Sequence, residues 1–153
     1  MPFIVIGCVD SGVTIPPDIP IDRLLAAPDT ITVASRQLTL STYMWRDFQH
    51  ISPPGGKSLI TIVYVTAVDS AKLPVVIAVD AVWIVYNVQV WKAWLAPNQI
   101  PISEMKPNRL VKIAREGPQW GPHVYVDVIV RVADGSGGTH LLRAPRQWIN
   151  RTD

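Results

Sequence analysis

The chain has 153 residues, of which 48% are hydrophobic and 17% charged, with a formal net charge of +2. That length suits one domain with a core of its own, the composition is too apolar for intrinsic disorder, and the charge is too small to point to a nucleic-acid partner. Fourteen prolines argue against long helices, a single cysteine excludes an intramolecular disulfide, and no run of 18 apolar residues is available to span a membrane as a helix.

The chain opens on an apolar run, FIVIGC from Phe3 to Cys8. Its VIGC tetrapeptide resembles a bacterial lipobox, whose cysteine receives lipid after the preceding segment is removed, which makes Cys8 a candidate lipidation site and the one route to a membrane. Only seven residues precede Cys8 and none is basic, whereas a secretory signal carries a basic start and an apolar stretch of about 7 to 15 residues. The alternative is a small hydrophobic cysteine on an apolar strand or arm. Residues 9 to 29 read as an extended arm: Pro16, Pro17 and Pro20 restrict the backbone, and Ile15, Ile19 and Ile21 alternate with them. Such an arm needs a groove, either on its own domain or on a neighbour. A short turn of helix is expected within Ile21 to Ala27, with Asp22 near its start.

The folded body is expected from Thr30 onward, giving an arm or anchor of residues 1–29 and a domain of residues 30–153. In QLTLSTYMWRD, Leu38, Leu40 and Met44 share one face, and Tyr43 and Trp45 share the other. After the breaker run HISPPGGK comes LITIVYVTAVD, apolar on both faces, as in a central strand with a second surface to cover. VVIAV suggests an edge strand. VWIVYNVQVWKAWLA reads either as two short strands about Asn87 or as one strand through it, and RLVKIAREG is a further strand. The clearest is HVYVDVIVRVA, where Val124, Val126, Val128, Val130 and Val132 occupy alternate positions and define a core face. DGSGG then makes a tight connection to THLLRAP and RQWIN.

These segments predict an all-β domain, an antiparallel β-sandwich of about seven to nine strands with an extended Pro-rich N-terminal arm. The valine strand, the DGSGG turn and the strand after it resemble the final hairpin of immunoglobulin-like and fibronectin-type domains. Val82-Trp83-Ile84 ahead of Val90-Trp91 is similar to their middle strands. With the Cys8 context, Trp45-Arg46-Asp47 and GPQWGP, residues 30 to 151 resemble small extracytoplasmic bacterial proteins of immunoglobulin-like shape. The resemblance implies a location outside the cytoplasm. The cysteine pair of antibody domains is absent, and Tyr125 has the opposite parity to the core valines.

His50, His123 and His140 fall in or beside turns without metal-ligand spacing, Ser11 and Ser52 lie in no GxSxG elbow, and DGSGG lacks the helix and lysine of a phosphate loop. No catalytic, cofactor or metal residue is assigned, and the expectation is a protein that is not an enzyme. The compositional excess is six tryptophans against two phenylalanines. Trp83 is expected in the core. Tyr43, Trp45, Trp91 and Trp120, with Ile15, Ile19 and Ile21 of the arm, are the candidate interaction residues, because aromatic side chains anchor protein interfaces and stack on sugars. The expected function is an extracytoplasmic structural or protein-interaction module that forms a homo-oligomer or larger assembly through the arm and an apolar sheet face. The alternative is a carbohydrate-binding module that holds a polysaccharide on exposed Trp and Tyr.

Overall fold

The computed structural model describes residues 19–49, 53, 55–96 and 106–153. A short helix, α1 (Ile21–Leu25), precedes eight strands: β1 (Thr30–Val33), β2 (Arg36–Asp47), β3 (Leu59–Ala67), β4 (Ala78–Tyr86), β5 (Gln89–Trp94), β6 (Arg109–Gly117), β7 (Tyr125–Ala133) and β8 (Thr139–Thr152). The strand order is β5-β4-β7-β8-β2-β3-β6, with β1 paired to β2.

β8 joins two layers. From Thr139 to Trp148 it pairs antiparallel with β7, and from Ile149 to Thr152 it pairs with residues Met44 to Asp47 of β2. That second pairing is parallel, unlike the antiparallel remainder, because β8 passes from one layer to the other without reversing direction. The crossing is made at a bulge: Val126 lies opposite Gln147 but Val128 lies opposite Ala144, so the bend holds Pro145 and Arg146. Arg146 has φ 52°. An extra residue bends a strand and increases its twist, and a proline cannot donate to the ladder it interrupts. THLLRAP and RQWIN are therefore one bent strand.

The inner faces meet in a core built from alternation. Val126, Val128, Val130 and Val132 of β7 pack with Val79, Val82 and Ile84 of β4 and, from the other layer, with Leu38, Met44, Val63 and Val65; Val124 is partly buried at its edge. This is an all-β sandwich of eight strands. Asn87, at φ 55°, makes the turn between β4 and β5, with Tyr86 opposite Gln89. In VVIAV only Ala78 and Val79 belong to a strand, and Val75 and Val76 are exposed.

A second bulge, at Asp80, explains how β4 buries both faces. Val79 lies opposite Val132 and Ala81 opposite Arg131, so the extra residue inverts parity. Ala81, Trp83 and Val85 thus turn outward together with Ile129 of β7. They are covered by the chain's own leading segment: Leu24 and Ala27 are buried against them, with Ile19, Ile21 and Leu141 at the margin. Arg143 fastens this cover, its Nε donating to the Ala27 carbonyl (3.1 Å) and its amide to the Pro28 carbonyl (2.8 Å). Of the arm expected over residues 1–29, residues 19 to 28 thus lie along their own domain, one of the two placements open to it. Residues 19 to 28 belong to the folded body because Trp83 and Ile129 need a lid on the face away from the main core.

Candidate interaction face

The outer surface of the other layer has no such lid among the described residues. Met44 and Arg46 of β2 are buried, so Tyr43 and Trp45, which alternate with them, point outward. Tyr43 lies opposite Ile62 of β3, and Trp45 opposite Ile60. Ile62 lies opposite Ile113 of β6, and Tyr64 opposite Val111. In the other direction, Tyr43 and Trp148 each stand one residue before the paired Met44 and Ile149, and Trp148 lies opposite Tyr125 of β7. One row therefore runs Tyr125, Trp148, Tyr43, Ile62, Ile113 across five neighbouring strands, about 19 Å at the usual strand spacing. Tyr125, Trp148 and Tyr43 are 49%, 40% and 47% exposed; the isoleucines are half-buried.

The rings support one another without sharing a plane. Tyr43 and Trp45 are 5.4 Å apart at 37°, and Tyr125 and Trp148 are 4.8 Å apart at 57°. His123 and Trp148 are closer to parallel, 5.7 Å apart at 20°. Two guanidiniums flank the face, Arg146 lying 4.4 Å from the centroid of Tyr125 and Arg109 lying 4.7 Å from that of Tyr64. Neither belongs to an ion pair among the described residues. The nearby carboxylates are engaged: Asp127 pairs with Arg143 at 2.8 Å, and Asp47 accepts from Thr152 (3.1 Å) and faces Lys57 at 3.9 Å.

Behind the face sits Arg46, 3% exposed. Its Nε donates to Lys57 O at 2.9 Å, its Nη1 to Gly121 O at 2.7 Å and Gln119 O at 3.3 Å, and its Nη2 to Gly55 O. Gln119 Nε2 donates to Gly56 O at 3.0 Å. The two breaker runs of the sequence, PPGGK and GPQWGP, are thereby tied to each other and to the end of β2. Burial lowers the guanidinium's pKa, and the ring of carbonyls supplies the acceptors that a buried cation requires.

Of the residues singled out from sequence, Tyr43 and Trp45 lie on this face. Trp91 and Trp120 do not: both are partly buried against the main core, Trp120 with Tyr86 at 5.6 Å. Trp91 lies opposite Ile84, on the inward side of β5, and so fills the sandwich rather than lining a surface. Ile19 and Ile21 are likewise packed on their own domain. Ile15, Cys8, His50, Ser11 and Ser52 lie outside the described residues. Sequence reasoning passed over Trp148, Tyr125, Ile60 and Ile62, although Tyr125 carried the signal of opposite parity to the valines and residues 59–69 that of a second apolar face.

Comparison with family models, with curated proteins and with solved structures finds no match. The reading of the site rests on its chemistry. Among the described residues no group of three His, Cys, Asp or Glu could hold a metal ion. DGSGG is closed on itself, Asp134 Oδ1 accepting from Ser136 N (2.9 Å), Ser136 Oγ (2.7 Å) and Gly138 N (3.1 Å), while its Oδ2 meets His140 at 3.2 Å. A hollow of about 660 Å³ beside α1 is lined by Arg23, Arg131, His140 and Leu141 among others. Two of its polar side chains are already held, Arg131 by Asp80 at 2.8 Å and His140 by Asp134 at 3.2 Å. What the aromatic face offers is apolar area to be covered and guanidinium charge at its flanks.

Proposed function

We propose that the protein is a non-enzymatic interaction module, working outside the cytoplasm, that docks another protein on the outer face of β7, β8, β2, β3 and β6. The observation that carries this reading is the apolar row from Tyr125 to Ile113 across five strands, exposed at Tyr125, Trp148 and Tyr43 and half-buried at Ile62 and Ile113. Contiguous exposed apolar patches of this kind are characteristic of recognition surfaces, and Trp, Tyr and Arg are the residues that most often carry interface energy. The N-terminal segment with Ile15 and Cys8 serves in this reading as a tether or a second contact, through which copies of the chain gather into a homo-oligomer or larger assembly. A photo-crosslinking residue placed at Tyr43 in cells of the source organism tests it, with Val75, 92% exposed outside the face, as the control position. A discrete protein adduct at position 43 and none at 75 is expected. Identical patterns at both positions, or no adduct at either, would remove the reading.

A second reading, polysaccharide binding, draws support from the near-parallel His123 and Trp148 rings, since sugars stack on exposed aromatic faces. The tilts of 37° and 57° elsewhere on the face and the aliphatic Ile60, Ile62 and Ile113 favour protein side chains instead. Tryptophan fluorescence titrated with a panel of polysaccharides separates the two: a saturable response to one of them supports the sugar, and a flat response excludes it.

A further inference from the structure

Resting on the reading of this face as a docking surface, we infer that its partner is a different protein, presenting an apolar strip with carboxylates at both ends, and not a second copy of this chain seated on the same face. The inference comes from the charges at the two flanks. Arg146 lies over Tyr125 at the β7–β8 side, and Arg109 lies over Tyr64 at the β3–β6 side. Tyr125 and Tyr64 stand on strands three spacings apart in the sheet order, about 14 Å. Each guanidinium lies over a ring, and neither has a carboxylate within ion-pair distance among the described residues. The apolar strip between them is bordered by acids that are already used, Asp127 by Arg143 and Asp47 by Thr152 and Lys57. Glu116 stands beyond the row, in the bulge that ends β6.

An isologous contact requires a surface complementary to itself. This face would set a mainly cationic rim against an identical one, and juxtaposed like charges select against such pairing. A partner with Glu or Asp outside an apolar centre meets both demands at once, because it covers Trp148, Tyr43 and Ile62 and gives Arg146 and Arg109 the anions they lack.

The test uses the full chain and two synthetic peptides with the same nine-residue alternating Val/Thr centre, one flanked by pairs of Glu and the other by pairs of Lys, each labelled for fluorescence anisotropy. The Glu-flanked peptide is expected to bind about tenfold or more tightly than the Lys-flanked one, with the preference shrinking as salt is raised. In R109E/R146E the preference should invert, and in the milder R109Q/R146Q it should vanish, with circular dichroism unchanged in both. Equal affinity for the two peptides, no binding of either, or a preference that survives charge reversal would overturn the inference. So would saturable binding of polygalacturonate, included as a polyanion without apolar side chains, at affinity equal to or above that of the Glu-flanked peptide. If the adduct at position 43 persists while the peptide preference is absent, the charge assignment falls and the docking face stands; if the adduct is missing as well, both fall.

Discussion

Arg46 donates a 2.7 Å hydrogen bond to the carbonyl of Gly121, joining the end of β2 to the loop that enters β7, 75 residues away. With the bonds to Lys57, Gln119 and Gly55, one side chain satisfies four carbonyls that strand pairing leaves over. Removing it breaks four part-buried hydrogen bonds of one charged donor at once, and bonds to a charged group are worth more than neutral ones. Arg46→Met is expected to cost about 3 kcal/mol, read as a lower urea midpoint with an unchanged m-value. A cost near zero would mean that the two loops hold their shape without the guanidinium.

The lid over the outer face of β4 and β7 makes a second prediction. Leu24 is completely buried, whereas its neighbour Leu25 is 37% exposed. Leu24→Ala is expected to lower the unfolding free energy by about 3 kcal/mol, by lost transfer energy and the cavity left beneath α1, and Leu25→Ala by under about 1 kcal/mol. Equal, small effects in chemical denaturation would mean that α1 rests on the sheet without contributing to the fold.

These two sites also show what could be read from the sequence and what could not. The valine strand was legible because a period of two places five β-branched residues on one side, and its core face is where that parity puts it. Ile129, between the valines, was not legible as buried, since its cover comes from a helix of five residues, too short for its own periodicity to register. The bulge at Asp80 similarly hides the two-faced burial of β4, because parity counted through the strand is wrong by one on the far side. Tyr43 and Trp45 were readable from alternation within β2, but their neighbours Trp148 and Tyr125 reach them only by the crossing of β8 between layers. The turn-forming character of PPGGK and GPQWGP was plain from Pro and Gly; that Arg46 joins them depends on contacts far apart in the chain.

Acid sensitivity is expected to centre on the turn between β7 and β8. The Asp134 carboxyl is held well below the ordinary carboxylate range, first by the Ser136 hydroxyl and amide, then by His140 and the Gly138 amide. The unfolded chain titrates near the usual value of about 3.9. The contribution is therefore complete above that pH and is lost as pH falls below it toward the depressed folded value. Asp134→Asn should be less stable than the parent at neutral pH, should decline less between about pH 5 and pH 2, and should approach the parent at the acid end. Parallel curves in thermal unfolding across that range would assign the acid sensitivity to other groups.

If the aromatic row exists for contact and not for the fold, its tryptophan should be dispensable where a core tryptophan is not. Trp83 is 2% exposed between β4's neighbours and the lid, and Trp148 is 40% exposed. Trp83→Ala removes a fully packed ring and is expected to cost about 3 to 5 kcal/mol. Trp148→Ser loses the ring contacts to Tyr125 and His123, each a partly solvated pair, and should cost about 1 kcal/mol or less. The same Trp148→Ser chain should lose the position 43 adduct and the Glu-flanked peptide while keeping its circular dichroism. A Trp148 variant as unstable as the Trp83 variant would place this ring among the supports of the sandwich, and the face would then owe its aromatic character to folding.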